Sequence, residues 1–268
     1  MKAVLLVALL AALVAGCVDT TGSAIVTFQA FAAGPASATG GSLEGDTGTG
    51  YHLTLTRATL HIGGIYLKLS PPRPGAQAQA CVQIGSSQFY SGEVREGLDV
   101  NALSGDPQPF PVAGEGTADM SPVAELWLIS DGLPIESQVD NRAIATLEGS
   151  AEKGGTTYPF TASITISQGN RGDTSTDVAQ PGAHPICAER IVTPILAGFA
   201  PAQGGTLFVR IDPLTWFGNV EFSEVPADSD HPGQLKFPDD NTDQSGNLFN
   251  TLHSTAAYTI TFAPGSTP

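Results

Sequence analysis

Oxygen-bearing side chains are concentrated between residues 221 and 244. This segment holds one lysine, Lys236, and seven acids: Glu221, Glu224, Asp228, Asp230, Asp239, Asp240 and Asp243. Within it, Asp239, Asn241 and Asp243 alternate along the chain, and loops that bind Ca²⁺ place their oxygen donors in this way. The pattern departs from an EF-hand, because Gln244 stands where the glycine turn belongs. The segment therefore predicts either a calcium loop or a solvated acidic loop that keeps the protein soluble.

Histidines could supply a second kind of metal site. They are His52, His61, His184, His231 and His253, and they lie far apart along the chain. Neutral imidazoles that a sheet brings together would bind copper or zinc. The alternative is that each histidine is a single strand or loop residue, exposed or hydrogen-bonded.

Sequence motifs for catalysis are scarce. No Gly-x-Ser-x-Gly elbow is present to expose a nucleophilic serine, and no His-Glu-x-x-His motif is present to bind a catalytic zinc. The 26 acids could supply the paired carboxylates of a glycosidase, so an envelope hydrolase stays open as an alternative. The sequence predicts a binding or structural protein rather than an enzyme.

Aromatic residues could form a stacking platform for a carbohydrate ligand. The residues concerned are Trp127, Trp216, Phe217 and Tyr258. Trp216-Phe217 is the better candidate because it falls in a predicted loop, whereas Trp127 lies in a strongly apolar segment. The alternative is that the pair closes the core at a strand end, the more usual role of such residues.

The first seventeen residues form a segment in three parts. Lys2 supplies a positive charge, residues 3–13 are apolar, and Val14-Ala15-Gly16 places small residues before Cys17. These parts are typical of an export signal. The apolar run is shorter than the roughly 20 residues that a helix needs to cross a bilayer.

Val14-Ala15-Gly16-Cys17 resembles the lipobox of bacterial lipoproteins. The resemblance implies that residues 1–16 are a signal peptide, that the Cys17 thiol receives a diacylglyceryl group, and that its amine is then acylated, for example with palmitate. Several acyl chains on one residue anchor a protein firmly. Val18, rather than an aspartate, follows the cysteine, which favours the outer membrane of the cell envelope. The alternative is an ordinary secretory signal that happens to end at a cysteine.

Composition limits what the exported chain can bind. Removal of residues 1–16 leaves 252 residues with ten basic and 26 acidic side chains. This excess of acid argues against nucleic acid as a partner, because phosphate binding needs basic patches. It also argues against adhesion to anionic lipid through the protein surface. The partners expected are therefore the membrane, reached through the lipid, and an envelope protein or carbohydrate.

The exported chain has two further cysteines, Cys81 and Cys187, which would lie in an oxidising compartment. A disulfide between them is expected, because exported thiols usually pair. His184 and Cys187 have a spacing that could also ligate a metal. The disulfide would remove the thiolate that such a site needs.

Apolar and polar residues alternate with a period of two in many segments, as half-buried strands do. The clearest are 24–33, 51–70, 160–166, 207–211 and 258–262. In 51–70 the phase of the apolar residues changes before Gly63-Gly64, which predicts a bulge or bend that carries the strand into a second sheet. Residues 142–152 and 156–168 predict a hairpin. Residues 124–129 predict a strand covered on both faces, 191–200 either a strand or a helix, and 100–103 one helical turn.

These segments predict an all-β protein, an antiparallel β-sandwich or jelly-roll-like domain with few short helices. Residues 17–23 read as a short tether and residues 24–268 as a single domain. The first strand and the 51–70 segment are also similar to small secreted, metal-associated β-sandwich proteins of the copper-linked MbnP type, a resemblance that brings no ligand residues with it. The function expected is a lipid-anchored envelope protein that binds or scaffolds, with a calcium- or copper-binding exported protein as the alternative.

Overall fold

The computed structural model describes residues 24–69, 90–129, 142–166, 191–240 and 243–265. These residues form fifteen strands and one α-helix, α1 (Asp243–Leu252). The strands are β1 (Ile25–Ala33), β2 (Leu43–Asp46), β3 (His52–Ile62), β4 (Gly64–Lys68), β5 (Tyr90–Val94), β6 (Leu98–Asn101), β7 (Gln108–Pro109), β8 (Gly114–Thr117), β9 (Ser121–Trp127), β10 (Ala143–Lys153), β11 (Thr156–Thr165), β12 (Ile191–Phe199), β13 (Thr206–Ile211), β14 (Leu235–Phe237) and β15 (Tyr258–Ala263). Short 3₁₀ helices lie at Pro213–Phe217, Phe222–Glu224 and Thr255–Ala257.

Two sheets make a sandwich, which confirms the predicted fold class. The first sheet has the order β12-β9-β4-β5-β8-β1-β13-β15, with β7 also pairing with β1. The second has the order β14-β11-β10-β3-β2, with β6 also pairing with β3. Most pairs are antiparallel as expected, but β1 and β13 run parallel, as do β11 and β14. The first sheet curls until its two end strands meet, where Phe199 of β12 stacks on Phe262 of β15 at 5.2 Å.

The predicted corner lies at Gly63, the single residue between β3 and β4. β3 belongs to the second sheet and β4 to the first, so the chain passes between the sheets at this residue. The pairing of β3 with β10 shifts at Thr56, which lies between Leu55 and Arg57 without a partner of its own. This bulge explains the change in apolar phase, because one extra residue moves the following side chains to the other face.

The predicted hairpin is β10 and β11, joined by Gly154 and Gly155. Both glycines have positive φ, +62° and +79°, as a two-residue turn of this kind requires. Residues with a side chain rarely adopt these angles, so the glycine pair sets the register of the longest pairing in the second sheet.

The predicted helical turn at residues 100–103 is wrong. Residues 98–101 form β6, which pairs with the end of β3. Residues 191–199 are a strand, β12. Helix α1 was not apparent in the sequence, where Gly246 and two asparagines weaken helix propensity.

The inner faces of the two sheets share one contiguous hydrophobic cluster. Phe160, Phe217, Phe222 and Phe237, which we call the phenylalanine cluster, pack ring to ring with centroids 5.0 to 6.4 Å apart. They bring together β11, β14 and the two 3₁₀ helices that follow β13. The cluster thereby fixes residues 213–224 against the second sheet.

Candidate functional site

An open hollow of about 640 Å³ lies where the turn between β2 and β3 meets the tip of the β10–β11 hairpin. Strand register places these parts together, because His52 of β3 pairs with Asp46 on one side and with Glu152 on the other. The residues that line the hollow are Asp46, Gly50, His52, Glu152, Lys153 and Gly154.

His52 is the imidazole of this hollow. Its Nδ1 lies 2.9 Å from Asp46 Oδ1, and its Nε2 lies 3.9 Å from Glu44 Oε2. The hydrogen bond to Asp46 is the largest influence and raises the pKa of His52 above its ordinary value. Desolvation is the second influence and opposes it, and the charges of Asp46, Glu44 and Glu152 add to the rise. The hollow therefore holds a cationic imidazole over a wider pH range than a free histidine would.

The raised pKa of His52 leads to a measurable prediction. Replacing Asp46 with asparagine should lower the pKa of His52, since it removes the first cause of the shift. The His52–Asp46 interaction should stabilise the fold fully below the ordinary histidine pKa and lose that effect as the pH rises through the folded-state value. An NMR titration of the imidazole carbon-bound protons in both proteins tests this, with His52→Gln to assign the signal. Identical titration midpoints would contradict it.

A second polar network, centred on Glu221, lies next to the hollow. The hydroxyl groups of Tyr51 and Ser223 both donate to Glu221 Oε1, and Lys153 Nζ lies 3.2 Å from Oε2. These hydrogen bonds, that of Tyr51 first, lower the pKa of Glu221. Lys153 Nζ also lies 4.5 Å from the centroid of the Tyr51 ring. Glu221 is thus held as a carboxylate, which suits it to bind a positive or hydrogen-bonding group rather than to donate a proton.

A buried ion pair lies elsewhere, on the face of the first sheet that points away from the core. Glu125 of β9 is 1% exposed and Lys68 of β4 is 12% exposed, with 2.6 Å between Nζ and Oε1. The indole N–H of Trp127 donates to the other carboxylate oxygen at 3.1 Å. The Tyr66 ring packs on Trp127 and Tyr90, each at 4.9 Å. This group could not be predicted from the sequence, because Lys68 and Glu125 meet only through the pairing of β4 with β9.

The proposed calcium residues have other contacts in the structure. Asp239 accepts hydrogen bonds from the backbone N–H of Thr165 at 2.8 Å and from its hydroxyl at 2.5 Å. Asp243 is the first residue of α1, and Asn241 lies outside the described residues. Asp239 therefore serves to attach the acidic segment to the end of β11, and the calcium loop stays a prediction.

The histidines have separate partners. His61 Nδ1 lies 2.6 Å from Asp99 Oδ1, His231 Nδ1 lies 2.9 Å from Asp228 Oδ2, and His253 Nδ1 lies 2.7 Å from the carbonyl oxygen of Phe249. His184 falls outside the described residues. Within the described ranges, no three His, Cys, Asp or Glu side chains come together as a metal ion would require. The expectation of a histidine cluster for copper or zinc also stays a prediction.

Trp216 and Phe217, the candidates for a sugar platform, do not form one. Both side chains are fully buried in the 3₁₀ helix that follows β13, and Trp127 and Tyr258 are nearly so. Phe217 stacks on Phe222 with centroids 5.8 Å apart. The alternative, that the pair closes the core at a strand end, is confirmed.

One pair of residues on β10 has a spacing with catalytic associations. Ser150 and Lys153 have the Ser-x-x-Lys spacing that can pair a nucleophile with a lysine base. Both lie on β10, where residues three apart point to opposite faces of the sheet. The lysine instead reaches Glu221, so the spacing does not make a catalytic pair here.

The cysteines Cys17, Cys81 and Cys187 all lie outside the described residues. The lipid attachment and the disulfide therefore stay predictions.

Comparison with known proteins gives no match for this chain among family models, curated proteins or solved structures. In the part of the chain that the structure describes, no helix is long and apolar enough to cross a membrane.

Proposed function

We propose that the protein is a lipid-anchored lipoprotein of the cell envelope, whose β-sandwich binds or supports other envelope components without catalysis. The observation that carries this proposal is the apolar N-terminal run that ends in Val14-Ala15-Gly16-Cys17. Only seven residues separate Cys17 from the start of β1 at Ile25, which makes eight Cα-to-Cα steps. Even fully extended they span at most about 28 Å, so the anchor would keep the sandwich close to the bilayer.

The hollow around His52 supports a binding role. It is open to solvent and carries groups of both charges, with Lys153 and the ionisable His52 set beside Asp46 and Glu152. Lys153 also contacts Glu221, which is held as a carboxylate outside the lining, so the charged groups in and beside the hollow can orient a polar ligand. A small polar envelope component, a saccharide among them, is the ligand class that fits such a surface.

The anchor is tested by replacing Cys17 with serine. We expect the variant to lose labelling by radioactive palmitate and to leave the membrane fraction, because a serine hydroxyl does not replace the thiol that takes the diacylglyceryl group. Cys81→Ser is the matched control, since it removes a thiol that has no place in the lipobox. Palmitate labelling that persists in Cys17→Ser would contradict the proposal.

A further inference from the structure

We infer that the end of the sandwich at which β1 begins is a docking surface for the lipid bilayer, an inference that rests on the proposed lipid anchor. We call this end the N-terminal rim and define it as residues 24–25, 69, 117–120, 196–205 and 263–265. It includes the first described residues of the chain, and it is therefore the part of the sandwich that follows the proposed anchor most directly along the chain.

Strand register brings the parts of the rim together. Ile25 at the start of β1 pairs with Thr117 at the end of β8, and Phe199 at the end of β12 pairs with Ser121 at the start of β9. The loop 200–205 joins them, since the N–H of Gly204 donates to the carbonyl oxygen of Thr27 at 2.8 Å. Together with the end of β15 at Ala263, these strand ends and loops form one end of the curled first sheet.

Exposed apolar side chains are concentrated at this rim. Among the described residues, the large hydrophobic side chains that are strongly exposed are Ile25 at 76%, Leu69 at 41%, Met120 at 60% and Leu196 at 82%. All four lie on the rim, although it is a small part of the surface. Apolar side chains that surround one end of a domain suit insertion at the boundary between headgroups and acyl chains.

Charged side chains, unlike the exposed apolar ones, are scarce at the rim and concentrated away from it. The rim loops 117–120, 200–205 and 263–265 contain one ionisable side chain, Asp119, which accepts a hydrogen bond from Thr117. Residues 212–243, which follow the far end of β13, contain eight acids and one lysine. Anionic lipids repel acids, so the favoured orientation turns the acidic segment away from the membrane and the rim towards it.

Because of the tether, even weak binding of the rim to the bilayer is enough to orient the sandwich. With Cys17 held in the bilayer and at most about 28 Å of chain before Ile25, the rim meets the lipid at a high effective concentration. The apolar side chains then need only orient a sandwich that the acyl chains already hold. Docking would leave the hollow around His52, which lies in the second sheet, accessible to ligands.

Tryptophan scanning with lipid-borne quenchers tests the inference. Leu196→Trp and Met120→Trp place an indole on the rim, and Ser229→Trp in the exposed acidic segment is the matched control; the native Trp127 and Trp216 are buried and set the background. The lipidated full-length proteins are reconstituted in vesicles of phosphatidylethanolamine and phosphatidylglycerol, with doxyl groups near the headgroup end of the acyl chains. We expect a clear loss of fluorescence for both rim variants and none above background for the control.

The outcomes separate docking from anchoring. If the proteins float with the vesicles but the rim tryptophans are not quenched, the anchor stands and the docking surface is refuted. A blue shift of the rim tryptophans without quenching would assign the rim to a second copy of the chain and would equally overturn the inference. Proteins that do not float with vesicles would refute the anchor itself and the docking with it.

Discussion

Replacing Lys68 with methionine is expected to lower the free energy of unfolding by about 3–5 kcal/mol, the usual effect of removing one partner from a buried ion pair. Methionine fills nearly the same volume, so packing changes little. Glu125, which is 1% exposed, would keep the indole N–H of Trp127 at 3.1 Å and the Tyr90 hydroxyl at 3.5 Å as donors, and would stay buried as a charge that has lost its cation. Urea unfolding of the two proteins, compared by midpoint at constant slope, measures the difference.

A double variant separates charge from packing. Lys68→Met combined with Glu125→Gln removes both charges, and the glutamine carbonyl can still accept from Trp127. We expect the double variant to be more stable than Lys68→Met alone, because an uncharged amide is far less costly to bury than a carboxylate. A loss below about 1 kcal/mol for Lys68→Met would instead place the pair in the class of solvated surface ion pairs.

Much of the fold could be predicted because the longer β-strands display their periodicity locally. The alternation in residues 160–166 and 207–211 correctly identified the buried faces of β11 and β13. The phase change before Gly63 located the corner between the sheets, since both the bulge and the glycine can be recognised within a single short segment of sequence. The glycine pair at 154–155 located the hairpin for the same reason.

The candidate site could not be predicted to the same extent, because its contacts are distant in sequence. Tyr51 and Glu221 are 170 residues apart, and Lys153 and Glu221 are 68 apart. Only the sheet order brings such residues together, and sheet order depends on all strands at once. The parallel pairs were missed for the same reason, because the direction of pairing is a property of the sheet order. Helix α1 was missed because packing against the core outweighs its weak local propensity.

The phenylalanine cluster is the second place where one substitution should have a large effect. Replacing Phe160 with alanine should lower the free energy of unfolding by about 3–5 kcal/mol, from lost burial and from the cavity that remains. Phe160 is fully buried, contacts Phe217, Phe222 and Phe237, and covers Gly149, whose missing side chain leaves room for the ring. Calorimetry or urea unfolding would give the difference.

The same substitution should also act at a distance on the hollow. The cluster holds residues 213–224 against the second sheet, and these residues carry Glu221 to Tyr51 and Lys153. We therefore expect faster hydrogen exchange in residues 213–224 of Phe160→Ala, while the β4–β9 pairing keeps its protection. Phe208→Ala is the matched control, because Phe208 is a partly exposed phenylalanine on β13 that contacts Arg210; its loss should be about 1 kcal/mol, the size of an exposed cation–π contact. Equal losses for the two variants, or uniform exchange across both sheets, would mean that the cluster does not position Glu221.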